Sequence, residues 1–364
     1  MGGGIGLGGV LCLLCPISAS FHPMALAGIR LGMGLFLGAT YPAIYSVLTH
    51  WATPGTLATM VSATFSGQIL GMLVSLGGLP WVVESLGWNW AFYSSGILAL
   101  VWTPLWFLLV RDDPLRHPCI ANKERELLKE VTIQTMRSVP WGRLATCPTV
   151  YILALVEFAV LWYLGFTVVQ GPTLLVTQMG FTPQTTSIIM LTTCGAAAVM
   201  SYMFGGLTDF IFRRQLLSKL NTRRTIHSLS MILMVCGGVG LMVKACGGMV
   251  WVLPMFIVSA CGVAAVPSTY QVTPMDIAPN YSSTIAGLAG VGQLGGFLAP
   301  IVNSHLINQH NGLMLVVGVA GGLYCLVGLV YVLAVKAQVH EWNDYQQIPG
   351  ESYKDPKQQQ QQQQ

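Results

Sequence analysis

Charge is what this sequence has least of. Only 8% of its 364 residues are Asp, Glu, Lys or Arg, while 53% are hydrophobic. A soluble domain carries about a quarter of its residues as charged side chains. So few ionic groups cannot coat a water-facing surface, which excludes an ordinary soluble globule and makes lipid the main partner. Nucleic acid is not an expected partner. The nine cysteines lie mostly inside apolar runs, as Cys194, Cys236, Cys261 and Cys325 do, so they serve as small hydrophobes and exclude a disulfide framework. Cys12 and Cys15 spell a CxxC, but within an apolar span, where metal or redox use is not expected. No Ser/His/Asp set, metal cluster or phosphate loop converges. His22, His50, His117, His227, His305, His310 and His340 all fall at expected loops or helix ends. The reading is therefore not an enzyme, with no cofactor and no metal.

What the sequence does have is long apolar runs. Stretches able to cross about 30 Å of hydrocarbon occupy residues 3–19, 24–47, 58–82, 89–110, 149–170, 184–205, 227–245, 249–271, 283–307 and 312–335. The first opens without a basic flank, which argues against a cleaved signal peptide. Basic residues set the orientation. Seven Lys/Arg lie between Arg111 and Arg143, five between Arg213 and Arg224, and three more are Lys336, Lys354 and Lys357. Ten alternating spans put these fifteen of the seventeen on one side; Lys244 lies opposite and Arg30 within a span. By the positive-inside rule both termini are cytosolic.

An internal repeat organises the spans. A gapless shift of 225 residues pairs Ala39 with Ala264, Pro42 with Pro267, Tyr45 with Tyr270, Pro54 with Pro279 and Thr59 with Thr284. It also pairs Gly67-Gln68 with Gly292-Gln293, Gly71 with Gly296 and Leu73 with Leu298. Repeats of this kind determine architecture. The offset carries the second span onto the eighth; an even step keeps orientation, so the repeats are parallel, related by an axis along the membrane normal. Three spans precede the repeat in the second half and one in the first, so two spans of an expected twelve are expected to be missing from the N-terminus. The fold expected is an all-α membrane protein of two parallel helix bundles. Its parts are a truncated four-helix bundle at 1–110, a cytosolic loop at 111–148, a six-helix bundle at 149–336 and a disordered cytosolic tail at 337–364 with a polyglutamine end.

At motif level the chain resembles the major facilitator superfamily, in the anion branch containing sialin, the vesicular glutamate transporters and the type I sodium–phosphate cotransporters. The resembling pieces are RLGMGLFLGATYP from Arg30, GWNWAFY at 87–93, GGLTDFIFRR at 205–214 with the trailing LSKLNTRR, MDIAPNYSSTIAGLAGVGQLGGFLAP at 275–300 and VHEW at 339–342. The resemblance implies a secondary carrier of organic or inorganic anions, sialin-like, working by alternating access between two bundles, with H+ or Na+ as coupling ion. It implies a lysosomal or vesicular membrane, or the plasma membrane. It also implies anion handling by Arg30 and a gate latch at Asp209, Arg213 and Arg214, with the acid capping a helix and the arginines clasping a neighbour. Two departures stand out. Leu37 occupies the place where proton-linked members have Glu, and Val160 and Gly165 replace the Arg and Tyr of glutamate carriers, while Trp162 and Pro172 keep the pattern. A glutamate-type site is thus not intact.

The residues themselves suggest a site. Arg30 is the basic residue inside a span, and its planar fork suits carboxylate or phosphate; snorkelling to a boundary about 9 Å away is the bland alternative. Glu157 is the acidic residue deep in a span, read either as a proton-coupling group or as a counter-ion to Arg30. Tyr41, Tyr45, Gln68, Trp162, Tyr270 and Gln293 are candidate cavity residues, and interhelical hydrogen bonding is the alternative for the tyrosines and glutamines. Asp276 is expected to mirror Asp209 ahead of the next helix. Glycines 67, 71, 287, 292, 295 and 296 are expected to let helices approach closely.

Residues 122–134 read as an amphipathic surface helix. The Asn280-Tyr281-Ser282 sequon is placed in the cytosol and expected to stay unused. Tyr345-Gln-Gln-Ile348 fits a signal for a sorting adaptor. A rival class is a non-transporting remnant or truncated isoform, distinguished by an in-frame extension upstream of Met1. A channel would need a ring of pore-lining charge, which the sequence lacks.

Overall fold

A computed structural model describes residues 1–53, 55–111, 114, 120, 122–129, 138–243, 248–307, 309 and 312–344. Among them every regular element is helical. Ten segments are long and apolar enough to cross a membrane. Segments 1 and 4 are single helices, α1 (Gly2–Phe21) and α5 (Asn89–Leu109). The second segment is α2 (Pro23–Gly38) and α3 (Thr40–Trp51), broken at Ala39. The third, α4 (Leu57–Leu86), is continuous. A short helix α6 (Asn122–Lys129) and a turn α7 (Trp141–Ala145) precede the second half.

Span five is α8 (Pro148–Leu164), a π-helical stretch Gly165–Gln170 and α9 (Gly171–Thr177). It leads to α10 (Pro183–Arg213), α11 (Lys219–Val243) and α12 (Met249–Ala264). After α12 come a 3₁₀ turn Val266–Ser268 and the short α13 (Thr273–Ile277). Span nine enters through the 3₁₀ turn Pro279–Tyr281 and runs as α14 (Ser282–Ala289), a 3₁₀ stretch Gly290–Gln293 and α15 (Leu294–Ile307). The last span is α16 (Gly312–Ala334), followed by a 3₁₀ turn Glu341–Asp344.

The ten apolar runs and ten spans correspond one to one, though several helices run past their apolar stretches: α10 continues to Arg213 rather than 205, and span five to Thr177 rather than 170. α11 begins at Lys219 rather than 227, because its first two turns are polar residues that a hydropathy window rejects although the backbone is helical. His227 therefore sits inside a span and is fully buried, not at a helix end as its sequence setting suggested.

Backbone-close packing through small residues joins the helices, as expected where lipid gives no hydrophobic drive to association. In α1 and α5, Gly9 and Gly96 face each other so closely that a Cβ on Gly96 would lie 2.9 Å from the Gly9 carbonyl oxygen. In α11 and α12, a Cβ on Gly262 would come within 2.7 Å of the backbone at Ser230 and Met234. The long helices α4 and α10, each about 45 Å at 1.5 Å per residue, pack together, with Gly205 seated on Ser62.

The two halves meet crosswise. α3 packs on α14, and the 3₁₀ turn Val266–Ser268 packs on α4. Under the 225-residue shift, α3 corresponds to the segment holding that turn, and α4 corresponds to the segment beginning with α14. The two contacts are thus equivalent under exchange of the repeats. A buried cluster of Tyr45, Leu48, Ala58, Val61 and Phe65 with Val272, Met275 and Ala286 fills this junction.

The glycine expectation holds for one copy only. Gly292 and Gly295 press against α8, Gly296 reaches Leu161, and Gly287 faces Pro42. A Cβ on Gly67 or Gly71, the counterparts of Gly292 and Gly296, would meet no neighbouring element within 4 Å among the described residues.

Candidate functional site

The site forms where the two copies of the repeat meet. Glu157 lies two and a half turns into α8 and is 3% exposed. Its carboxylate accepts hydrogen bonds on Oε2 from Tyr41 of α3, at 3.1 Å, and from Tyr270, in the turn after α12. Tyr41 also shares a 3.3 Å hydroxyl contact with Tyr45, and Gln271 donates to the Tyr270 hydroxyl at 3.2 Å. Tyr45 and Tyr270, the repeat-related pair, are 1% and 3% exposed. Phe65 of α4 stands edge-on to both Tyr41 and Tyr45.

Local backbone explains the convergence. Gly292 sits so close to α8 that a Cβ there would lie 2.6 Å from Glu157 Cβ and 2.8 Å from Phe158 N. The missing side chain lets the 3₁₀ stretch lie flat on α8 beside the carboxylate. Downstream in the same span, the π-helical stretch carries Gln170, whose amide donates to the Pro300 carbonyl and accepts from Asn303 at 2.7 Å. Isolated π turns recur at functional positions.

The other expected residues distribute differently. Arg30 is exposed on α2 with its guanidinium 5.0 Å from the centre of the Phe92 ring. It makes no ion pair among the described residues, so the counter-ion reading of Glu157 is corrected: two tyrosine hydroxyls occupy the carboxylate instead. Trp162 is buried against Phe158, and its indole N–H has no acceptor among the described residues. Gln68 and Gln293 are exposed.

At one membrane face the ends of α3, α4, α10 and α11 gather. Asp209 accepts from the backbone N–H of Ala58 at 3.1 Å and of Thr59 at 2.7 Å, capping α4 from across the junction. Free N–H groups and the dipole of a helix start favour a carboxylate there. The stem of Arg213 lies against Gly55, and Arg214 stays on its own helix over Phe210. Asp276 does not mirror Asp209. It pairs with Arg223 at 3.0 Å and lies 3.2 Å from Lys219, both of α11 in its own half. Arg223 also donates to the Ser268 carbonyl at 2.8 Å. The reason is reach: α13 is only five residues long and holds Asp276 beside the start of α11. Arg223 was not singled out from the sequence; the signal was its place in the LSKLNTRR run behind the Asp209 motif.

Tyr345, Lys244, His117, His310 and the polyglutamine end lie outside the described residues, as do residues 130–134 of the expected surface helix. Among the described residues no group of three or more His, Cys, Asp or Glu could hold a metal ion.

A polytopic helical protein whose repeat-related halves meet at a buried carboxylate defines an architecture, and the comparisons identify its family. The chain belongs to the Major Facilitator Superfamily, whose profile matches residues 1–300. It is 27% identical over 307 residues to vesicular glutamate transporter 1 of Bos taurus, covering 80% of this chain and 53% of that protein. It is 25% identical over 358 residues to sodium-dependent phosphate transport protein 3 of Mus musculus, covering 94% and 73%. The uncharacterized transporter slc-17.2 of Caenorhabditis elegans is 27% identical over 362 residues, covering 92% and 70%. The chain thus spans about half the length of the vesicular glutamate transporters it matches. Among solved structures, the proton:xylose symporter XylE superposes with a TM-score of 0.69 at 16% identity, covering 93% of this chain and 81% of that one. The fold is that of the superfamily, and the protein is integral to a membrane.

Proposed function

We propose that this protein is a secondary carrier of small anions, of the sialin-like type, and that it works by alternating access. Glu157 is its proton-coupling group. The observation that carries the reading is the Tyr41–Glu157–Tyr270 bridge. One carboxylate is held by hydroxyls from both halves, so loading it with a proton changes the bonds that tie the halves together. Arg30 supplies positive charge for a carboxylate or phosphate substrate, an expensive feature within a span unless it is used. Tyr45, Gln68, Trp162 and Gln293 are the further substrate-side candidates. Asp209 and Arg213 latch the face at which both termini lie, which is the cytosolic one, with Arg214 beside them. Residues 111–148 link the two bundles, and 337–364 form the tail. The names of the relatives, vesicular glutamate and sodium-dependent phosphate transporters, favour an anion and a vesicular membrane; the coupling ion is H+, taken up at Glu157, with Na+ as the alternative those names suggest. Tyr345 is the docking point for a sorting adaptor.

The test is uptake into proteoliposomes of sialic acid, glutamate, urate and phosphate, under an imposed proton gradient or membrane potential. Arg30→Ala is expected to lower uptake by about ten- to a hundredfold, the loss of one charge-assisted hydrogen bond. Unimpaired uptake would remove Arg30 from the site. Glu157→Gln keeps an acceptor for the tyrosines but carries no proton. Uptake should continue without responding to the proton gradient, and an unchanged response would rule out the coupling role.

A further inference from the structure

The chain does not simply leave the bundle after its last span. Residues 339–344 fold back onto the second half. The backbone N–H of His340 donates to the Ile277 carbonyl at 2.8 Å. Asn343 and Asn280 form a reciprocal pair: the Asn280 backbone N–H donates to Asn343 Oδ1 at 3.1 Å, and the Asn280 side chain donates to the Asn343 carbonyl at 3.0 Å. Trp342 stacks on His340 at 5.1 Å and packs against Tyr281 at 6.0 Å. His340 Nε2 lies 3.7 Å from the thiol of Cys147, at the head of α8. Tyr281 in turn donates to the Ser138 carbonyl of the connecting segment.

Apart from the His340 amide, which bonds the end of α13, and the Trp342–His340 stack within the segment itself, these contacts meet the turn that starts span nine or Cys147, just ahead of span five. The next residue after that turn, Ser282, shares a 2.8 Å hydroxyl contact with Thr49 of α3 in the other half. Asn280 and Ser282 are two residues apart. The tail therefore grips the entry of span nine immediately beside the point where that span touches the opposite half.

We propose that residues 339–344 are a strap that keeps this face of the protein closed by holding the Pro279–Tyr281 turn, and hence Ser282, against α3. The inference rests on the alternating-access reading, because a strap regulates only a contact that opens. Backbone donors withdrawn from water need partners, and the strap supplies one to the half-buried Asn280. Releasing it removes these holds from the turn and lets it swing more readily with α14 away from Thr49. Through this link the segment after the last span bears on the conformational equilibrium of the spans.

A single reporter tests it. Ser282→Cys is introduced in the full chain in nanodiscs, and its modification by a water-soluble maleimide is followed at peptide level, so the native cysteines do not interfere. With the strap in place the reporter sits in a buried position and reacts slowly. Adding Trp342→Ala and Asn343→Ala is expected to raise its rate about tenfold. Hydrogen exchange at Asn280 and His340 should rise in parallel, while α4 and α10 remain protected. A chain ending at residue 338, and a Thr49→Cys reporter, repeat the measurement if the double variant folds poorly. If Ser282→Cys reacts but at the same rate with the strap released, the strap holds nothing closed and the inference fails while alternating access stands. If the reporters are inert in every background, both fail together.

Discussion

The carboxylate of Asp209 and the backbone N–H of Thr59 are 2.7 Å apart, a bond between α10 of the second half and the first turn of α4 in the first half. It is a helix cap supplied in trans. With the second bond, to Ala58, it satisfies two of the donors that every helix start leaves unpaired. Asp209→Ala removes both. Losing a side-chain cap costs about 0.5–2 kcal/mol, and here the loss falls only on states in which the two halves touch at this face. The closed population should drop accordingly, by about two- to thirtyfold. Distances between labels on α4 and α10 would check it. Asp209→Asn keeps an acceptor and should lie between wild type and alanine.

Gly67 and Gly292 occupy equivalent repeat positions but differ in surroundings. Gly292→Ala drives a methyl group into the backbone of α8 beside Glu157, with contacts far closer than Cβ atoms tolerate. Overpacking of this kind costs about 1–3 kcal/mol, so thermal unfolding in detergent should begin several degrees lower. Gly67→Ala meets open space and should leave the midpoint unchanged. Equal behaviour of the two variants would refute the packing assigned to Gly292.

How much of this was legible beforehand follows from what each signal measures. Apolar length reports exposure to hydrocarbon, and it located ten spans. It missed the true start of α11, because polar helix at the water boundary looks like loop. The 225-residue repeat revealed that Pro42, Tyr45 and α4 have counterparts, and the crosswise contacts follow that correspondence. It said nothing of which helix lies opposite Glu157. An apolar helix face reads alike whether it meets lipid or another helix, so the arrival of Tyr41 and Tyr270 on one oxygen was invisible. Arg30, equally conspicuous in sequence, turned out to rest on Phe92. Asp209 was visible in its motif, whereas the pairing of Asp276 with Arg223 depended on how short α13 is. The VHEW stretch was legible only as a family likeness, and nothing in that spelling ties it to the start of span nine.

Arg223 is the buried cation that sequence inspection passed over. It holds Asp276 and the Ser268 carbonyl, and both partners belong to the segment that corresponds to α3. Arg223→Ala leaves Asp276 buried with Lys219 as its remaining partner, at the surface end. Breaking one side of a buried pair costs about 3–5 kcal/mol, so poor expression and a lowered unfolding temperature are expected. Asp276→Asn in the same background should recover part of the loss, since it removes the stranded charge. A double variant no better than Arg223→Ala would mean that the ion pair is not what Arg223 contributes.

His340 gives the strap a dependence on pH whose sign can be worked out. Burial, then the charge of Lys336, disfavours the imidazolium and holds its pKa below the ordinary value. The groups around it are Cys147 at the head of α8, Trp342 stacked on the ring, and Lys336 and Glu341 on its own segment. In a released tail the imidazole titrates near its free value of about 6.5. A group whose folded pKa is depressed contributes stability that is complete above the free value and is lost as pH falls toward the folded one. The strap should therefore be fully docked at pH 7.5 and loosen progressively below about pH 6.5. Hydrogen-exchange protection factors of the Asn280 amide, which divide out the intrinsic pH dependence of exchange, should fall over that interval while those of α10 stay level. His340→Gln, which cannot acquire the charge, should flatten the profile. A wild-type profile already flat between pH 7.5 and 5.5 would show that the docked imidazole accepts its proton as readily as a free one does, and that the contact with Cys147 survives the charge.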